Sequence, residues 1–159
     1  MSFYKSVRFV LVLLVLALTA CSRPDFHLID GSEVYRSDRP NQWVIINYWA
    51  DWCKPCLDEV PELNRFYTQL GDQLTFLSIS FDKLPNEALA KQKEQFQIGY
   101  PIIATSPAPG LDIPRPSALP ANYFIAPDGK TFGPILGPHD AESLALLLKK
   151  YEAQWLASQ

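Results

Sequence analysis

The sequence predicts an α/β fold: a central mixed β-sheet flanked by helices on both faces, with an N-terminal β-hairpin. Three observations predict it. The runs "WVIINYW" (43–49) and "QLTFLSISF" (73–81) are rich in β-branched and aromatic residues, as strands are. The first is followed by apolar residues at helical spacing, and the second by a segment with a Pro-Asn helix start and a polar face. Further on, "ANYFIA" and "TFGPIL" flank the turn "PDGK", which reads as a hairpin. Alternation first and a hairpin later gives a sheet of mixed polarity. The chain has 159 residues, 48% of them hydrophobic, enough for one compact domain with a real core and too few for two.

In chain order, "FHLIDGSEVY" (26–35) is a short hairpin with Asp30-Gly31 at its turn. "WVIINYW" is nearly continuous in apolar residues, the pattern of a strand buried on both faces. From Cys53 to Leu70, residues Cys56, Val60, Leu63, Phe66, Tyr67 and Leu70 mark one helix that Gly71 stops. Pro61 should kink it, because proline lacks the backbone donor and crowds the preceding turn. After the strand at 73–81, "PNEALAKQKEQF" (85–96) is a helix and "YPIIAT" (100–105) a short strand or extended segment. "SPAPGLDIPRPSALP" (106–120) carries five of the fourteen prolines and no periodicity. It reads chiefly as a stiff connector; as a rim for a docking partner, Asp112 and Arg115 would be its contacts. The last helix starts at an Asp140 cap and has Leu144, Leu147, Leu148, Tyr151 and Trp155 on its apolar face.

Residues 1–20 stand apart. Lys5 and Arg8 precede the apolar run "FVLVLLVLALTA", the layout of an export signal. The run from Phe9 to Ala20 is shorter than the roughly 20 residues of a membrane span. It ends in Leu18-Thr19-Ala20-Cys21, which resembles a bacterial lipoprotein box. That resemblance implies a lipidated Cys21 as mature N-terminus, a tether over 21–25 and one domain over 21–159. Ser22 after that cysteine points outward to the outer membrane if the host is Gram-negative. Loss of residues 1–20 leaves 12 basic against 17 acidic residues, a formal −5, so the anchor would be acyl chains rather than charge. With no basic stripe, nucleic acid is not an expected partner.

The chemistry centres on "NYWADWCKPCLDEVPEL" (47–63). Cys53 falls where a buried strand ends and a helix begins. Free N–H groups there favour a thiolate, so Cys53 is the expected nucleophile. Cys56, one turn on, is the expected resolving thiol. Pro55 has its φ pre-set for the first helical turn, Lys54 adds an exposed positive charge, and Trp52 should shield one side. Structural zinc needs four ligands, usually from two such pairs; here there is no second pair, and the only histidines are His27 and His139. No metal and no cofactor are expected. Two inert core thiols is the other reading, and the exported context weakens it.

These stretches, with "PDFHLIDG", "LPANYFIAPDGK" and "ILGP", resemble thioredoxin-like proteins, and within them the TlpA/ResA-type extracytoplasmic thiol–disulfide oxidoreductases. The resemblance runs from about Pro24 to the C-terminus. It implies that Asn47 stands where cytosolic thioredoxins have a buried Asp, and an amide cannot accept the resolving thiol's proton. It implies that Glu59 is either a proton relay or thiol tuner, or a solvated helix carboxylate. It implies a cis bond at Leu119-Pro120, with the Leu119 backbone left to pair with substrate. Leucine there departs from the family's usual Thr, Val or Ile.

The Lys54-Pro55 order is that of reducing thioredoxins and lacks the Pro-His order of strong oxidases, which points to a reductase of exported protein disulfides. Its electrons would come from a membrane thiol donor. An anchor in the outer membrane would place that donor across the periplasm and counts against this route. Disulfide oxidase or isomerase is the alternative direction. A copper-binding thiol chaperone and a peroxidase of the peroxiredoxin type are the other classes. Copper delivery uses Cys-x-x-x-Cys with a distant His, and the tight Cys-x-x-Cys at a helix start argues against the peroxidase.

Overall fold

A computed structural model describes residues 23–71 and 73–159. The expected signal and Cys21 therefore lie outside the described residues. Among the described residues no helix is long and apolar enough to cross a membrane.

The fold is a mixed four-stranded sheet with helices packed on it, preceded by a two-stranded hairpin. The hairpin pairs β1 (Phe26–His27) with β2 (Glu33–Val34). Its turn closes through Gly31 N–H to Leu28 O at 3.0 Å, with Gly31 at φ +85°, a backbone conformation L side chains avoid. Asp30 Oδ1 accepts from Ser32 N–H at 2.9 Å.

The main sheet runs β4-β3-β5-β6, with β3 (Val44–Trp49), β4 (Thr75–Ser80), β5 (Ala121–Ile125) and β6 (Thr131–Leu136). β3 is parallel to β4 and antiparallel to β5, so it lies at the centre with every residue buried. Segment 100–105 forms no full strand. It extends the sheet past β4 through single bridges, Ser78 to Ile102 and Leu28 to Ile103, which also fasten the hairpin to it.

The helix expected over 53–70 is two helices, α1 (Lys54–Asp58) and α2 (Val60–Leu70), broken at Glu59. Pro61 causes the break rather than a mere kink. It has no N–H for Leu57 O, and its ring crowds that turn. The chain recovers through Leu63 N–H to Glu59 O at 3.0 Å. α3 spans Asn86–Gln95. α4 spans Ala141–Leu156, and its Asp140 cap accepts from Ser143 N–H at 2.8 Å.

Two apolar layers sandwich the sheet. One contains Ile45, Trp49 and Phe76 of the strands, with Val60, Leu63 and Phe66 of α2, Leu89 of α3, and Leu144, Leu148 and Tyr151 of α4. The other contains Val44, Ile46, Tyr48, Leu77, Ile79, Ala121, Tyr123 and Ile125 of the strands. That second layer is covered by Phe26 and Leu28 of the hairpin and by Leu111 and Ile113 of the proline-rich segment. No helical residue is among them, which refines the helical cover expected on that face. The proline-rich segment is thus a largely exposed connector that also lends two partly buried side chains to the core wall. Tyr123 Oη donates to Pro114 O at 2.6 Å and holds it there.

Candidate active site

β3 delivers the chain to the edge of the helical layer, and a turn at Asp51-Trp52 leads into α1. Cys53 is the N-cap of α1, with extended backbone (φ −87°, ψ 91°) and a side chain that accepts from Cys56 N–H at 3.3 Å. Cys56 N–H and Leu57 N–H also point at Cys53 O, at 3.0 and 3.2 Å. Cys53 and Cys56 are joined as a disulfide, with Cα atoms 5.3 Å apart. Cys53 is 5% exposed and Cys56 1%, so both are buried and Cys53 is the slightly more accessible of the two. Because α1 is five residues long, the field at Cys53 comes from these local N–H groups and not from a long helix.

Lys54 does not face the sulfurs. Its Nζ pairs with Asp58 at 2.6 Å on the exposed surface. Pro55 is exposed within the first turn of α1. Trp52 flanks the pair as an open platform rather than a seal, 63% exposed. Its Nε1 donates to Asp82 Oδ2 at 2.7 Å, and its ring meets Phe81 edge-on at 6.2 Å. The Leu119–Pro120 bond is cis, and it leads directly into β5.

Three residues past Cys56, Glu59 belongs to a buried polar cluster. Glu59, placed at the α1–α2 break, is 3% exposed. Asn47 Nδ2 donates to Glu59 Oε1 at 3.1 Å, and His139 N–H donates to Glu59 Oε2 at 3.0 Å. Burial pushes the Glu59 carboxyl up to about 7, with the His139 N–H and then Asn47 holding it back in part. Tyr100, buried nearby, has its hydroxyl pushed up by burial and by Glu59. Glu59 is therefore no solvated helix carboxylate.

Asn122 completes the cluster and was not singled out in the sequence. Its Oδ1 accepts from Asn47 Nδ2 at 3.1 Å, because β3 and β5 pair these two residues directly. Gly133 lies against it at φ +120°, where a Cβ would sit 2.8 Å from Asn122 O. One signal was available: a lone amide inside the apolar run "ANYFI". His139 enters through its backbone; its ring Nδ1 lies 3.3 Å from Ser143 Oγ, beside the start of α4. His27 lies apart on β1, 3.4 Å from Glu33. Among the described residues no group of His, Cys, Asp and Glu is arranged to hold a metal.

Over residues 20–131 the chain matches the AhpC/TSA family. The chain belongs to this family. Among its relatives is "Thiol-disulfide oxidoreductase ResA" of Bacillus cereus, 27% identical over 130 residues, covering 80% of this chain and 75% of the relative. The protein of the same name from Geobacillus kaustophilus is 30% identical over 126 residues, covering 76% and 71%. Solved structures share the fold. StoA of Bacillus subtilis has a TM-score of 0.61 at 20% identity, over 75% of this chain and 90% of StoA. The exposed lipoprotein thioredoxin Etrx1 of Streptococcus pneumoniae has a TM-score of 0.67 at 19% identity, over 79% and 96%. With a family of this kind and a formed Cys53–Cys56 disulfide, the class of chemistry is ResA-like thiol–disulfide exchange.

Proposed function

We propose that this chain is an extracytoplasmic, membrane-tethered oxidoreductase that reduces disulfides in exported proteins. The observation that carries it is the Cys53–Cys56 disulfide, capping a helix and backed by the buried carboxyl of Glu59. In the reduced protein the Cys56 N–H that now meets Cys53 Sγ would stabilise a Cys53 thiolate. That thiolate attacks one sulfur of a substrate disulfide and releases the other as a thiol. Cys56 then attacks the mixed disulfide at Cys53 and releases the second substrate thiol. Two electrons leave the dithiol, and the protein ends as the disulfide described above.

Cys56 must lose a proton as it attacks. Asn47 cannot take it, and Glu59 can, since a carboxyl held near 7 is half-ionised at neutral pH. Leu119, ahead of β5, would offer its backbone to an extended substrate segment. Cys21 would carry the acyl anchor, with residues 1–20 removed and one domain from 21 onwards. A membrane thiol donor would restore the dithiol.

Reduction of insulin in the presence of dithiothreitol tests the exchange. Wild type should accelerate it and Cys53→Ser should not. The potential of the couple tests direction: a value near thioredoxin's, about −270 mV, supports a reductase, and one near about −120 mV makes it an oxidase.

A further inference from the structure

On the loop-covered face of the sheet, a groove of about 300 Å³ opens beside the site. Its walls are apolar: Ile79 and Phe81 from the end of β4, and Leu111 and Ile113 from the proline-rich segment. Its two charged lining residues are both cations, Lys83 and Arg115. Among the described residues neither is paired with a carboxylate, and no Asp or Glu lines the groove. This runs against the chain as a whole, which carries 17 acidic residues against 14 basic.

Arg115 is fixed in place rather than trailing in solvent. Its guanidinium sits 3.6 Å from the Phe81 ring centroid, and Nη2 donates to Phe81 O at 3.0 Å. Only one of its five N–H groups is used in that bond, so a fork remains for a carboxylate. The same Phe81 ring makes a T-shaped contact with Trp52, next in sequence to Cys53, with centroids 6.2 Å apart. The guanidinium is therefore within about 10 Å of the Trp52 ring. An extended chain covers that distance in about three residues at roughly 3.3 Å each.

Resting on the exchange reading above, we propose that this groove receives an extended segment of the partner protein. The segment lays an apolar side chain between Phe81 and Ile113. It places a carboxylate, a few residues from its reacting cysteine, on Arg115 and Lys83. The partner is thus an exported protein whose disulfide is flanked by an apolar residue and an acidic one.

Paired peptide disulfides test this. Each is a symmetric dimer of a short peptide with isoleucine beside its cysteine, and with either glutamate or glutamine three, four or five residues away, on one side or the other. Reduced wild-type protein should reduce a glutamate peptide with a second-order rate constant about fivefold above its glutamine twin at low salt. The advantage should shrink towards unity at about 0.5 M salt. Arg115→Gln should abolish the preference, Arg115→Lys keep part of it, and Lys83→Gln lower it.

Binding of serine-for-cysteine peptides to Cys53→Ser protein, followed by the Arg115 Nε–H resonance, reads the groove apart from the chemistry. Exchange without any glutamate preference overturns the groove and leaves the exchange reading intact. A preference that survives in both Arg115→Gln and Lys83→Gln also overturns it. Selective binding of the glutamate peptide with no exchange supports the groove and sinks the exchange reading.

Discussion

On the inner side of the site, Glu59, Asn47 and Asn122 are buried, and Asn47 Nδ2 donates to both of the others. On the outer side, Trp52 is mostly exposed and joins through Phe81 to Arg115. Water is excluded from the first set, so the field there is strong and the protonation of Glu59 is displaced. Water reaches the second, where charges are screened and contacts are worth less each. The inner side suits proton handling in the chemical step, and the outer side suits choosing a partner. Substitutions on the two sides should then differ in kind: inner ones change the rate and its pH dependence, outer ones change recognition.

The largest effect tests the centre itself. Cys53→Ser should bring insulin reduction to the uncatalysed background. Cys56→Ser should still attack and accumulate a mixed disulfide with substrate, visible by mass spectrometry. If Cys56→Ser turns over normally, the assignment of attacker and resolver is wrong.

Next comes Glu59→Gln. Exchange at pH 8 should fall by about 10²-fold, and an inflection near pH 7 in the wild-type profile should vanish. Stability gives an independent readout. A carboxyl raised from 4.5 to about 7 by folding binds more protons in the folded state between those values. Folding therefore loses stability as pH rises through that window, by about 3 kcal/mol in all, and none of this loss is present below pH 4.5. Denaturant unfolding of Glu59→Gln should lack that slope. An equal slope in both proteins would place the proton elsewhere.

On the outer side, Trp52→Ala should raise KM for a protein disulfide about threefold, with kcat for a small disulfide changed less than that. A loss confined to kcat would put Trp52 on the inner side of the comparison. Smallest of all, Lys54→Ala should alter stability by less than about 0.5 kcal/mol, since its ion pair with Asp58 is exposed.

Much of this was legible in local sequence. The Asp30-Gly31 turn, the Asp140 cap and the Cys-x-x-Cys at a strand–helix junction each depend on a few neighbouring residues, and each is found in the structure. What was not legible depends on distant parts of the chain. Asn122 matters because the register of β5 against β3 sets it opposite Asn47, 75 residues earlier. The burial of Glu59 depends on the helix break at Pro61 and on His139 N–H arriving from 80 residues away. The proline-rich segment has no period to read, because its fit to the sheet is one of individual side chains, Leu111 and Ile113, rather than of a repeating face.

That segment sets a limit on how this protein could be retuned. Leu111 and Ile113 both pack the sheet and line the groove beside the redox pair. A redesign that exchanges them to suit another client would also loosen the fold. Arg115 is tied in the same way, through its stacking on Phe81 and its bond to Phe81 O, whereas the exposed end of Lys83 carries no such double duty and could change without loosening the sheet packing.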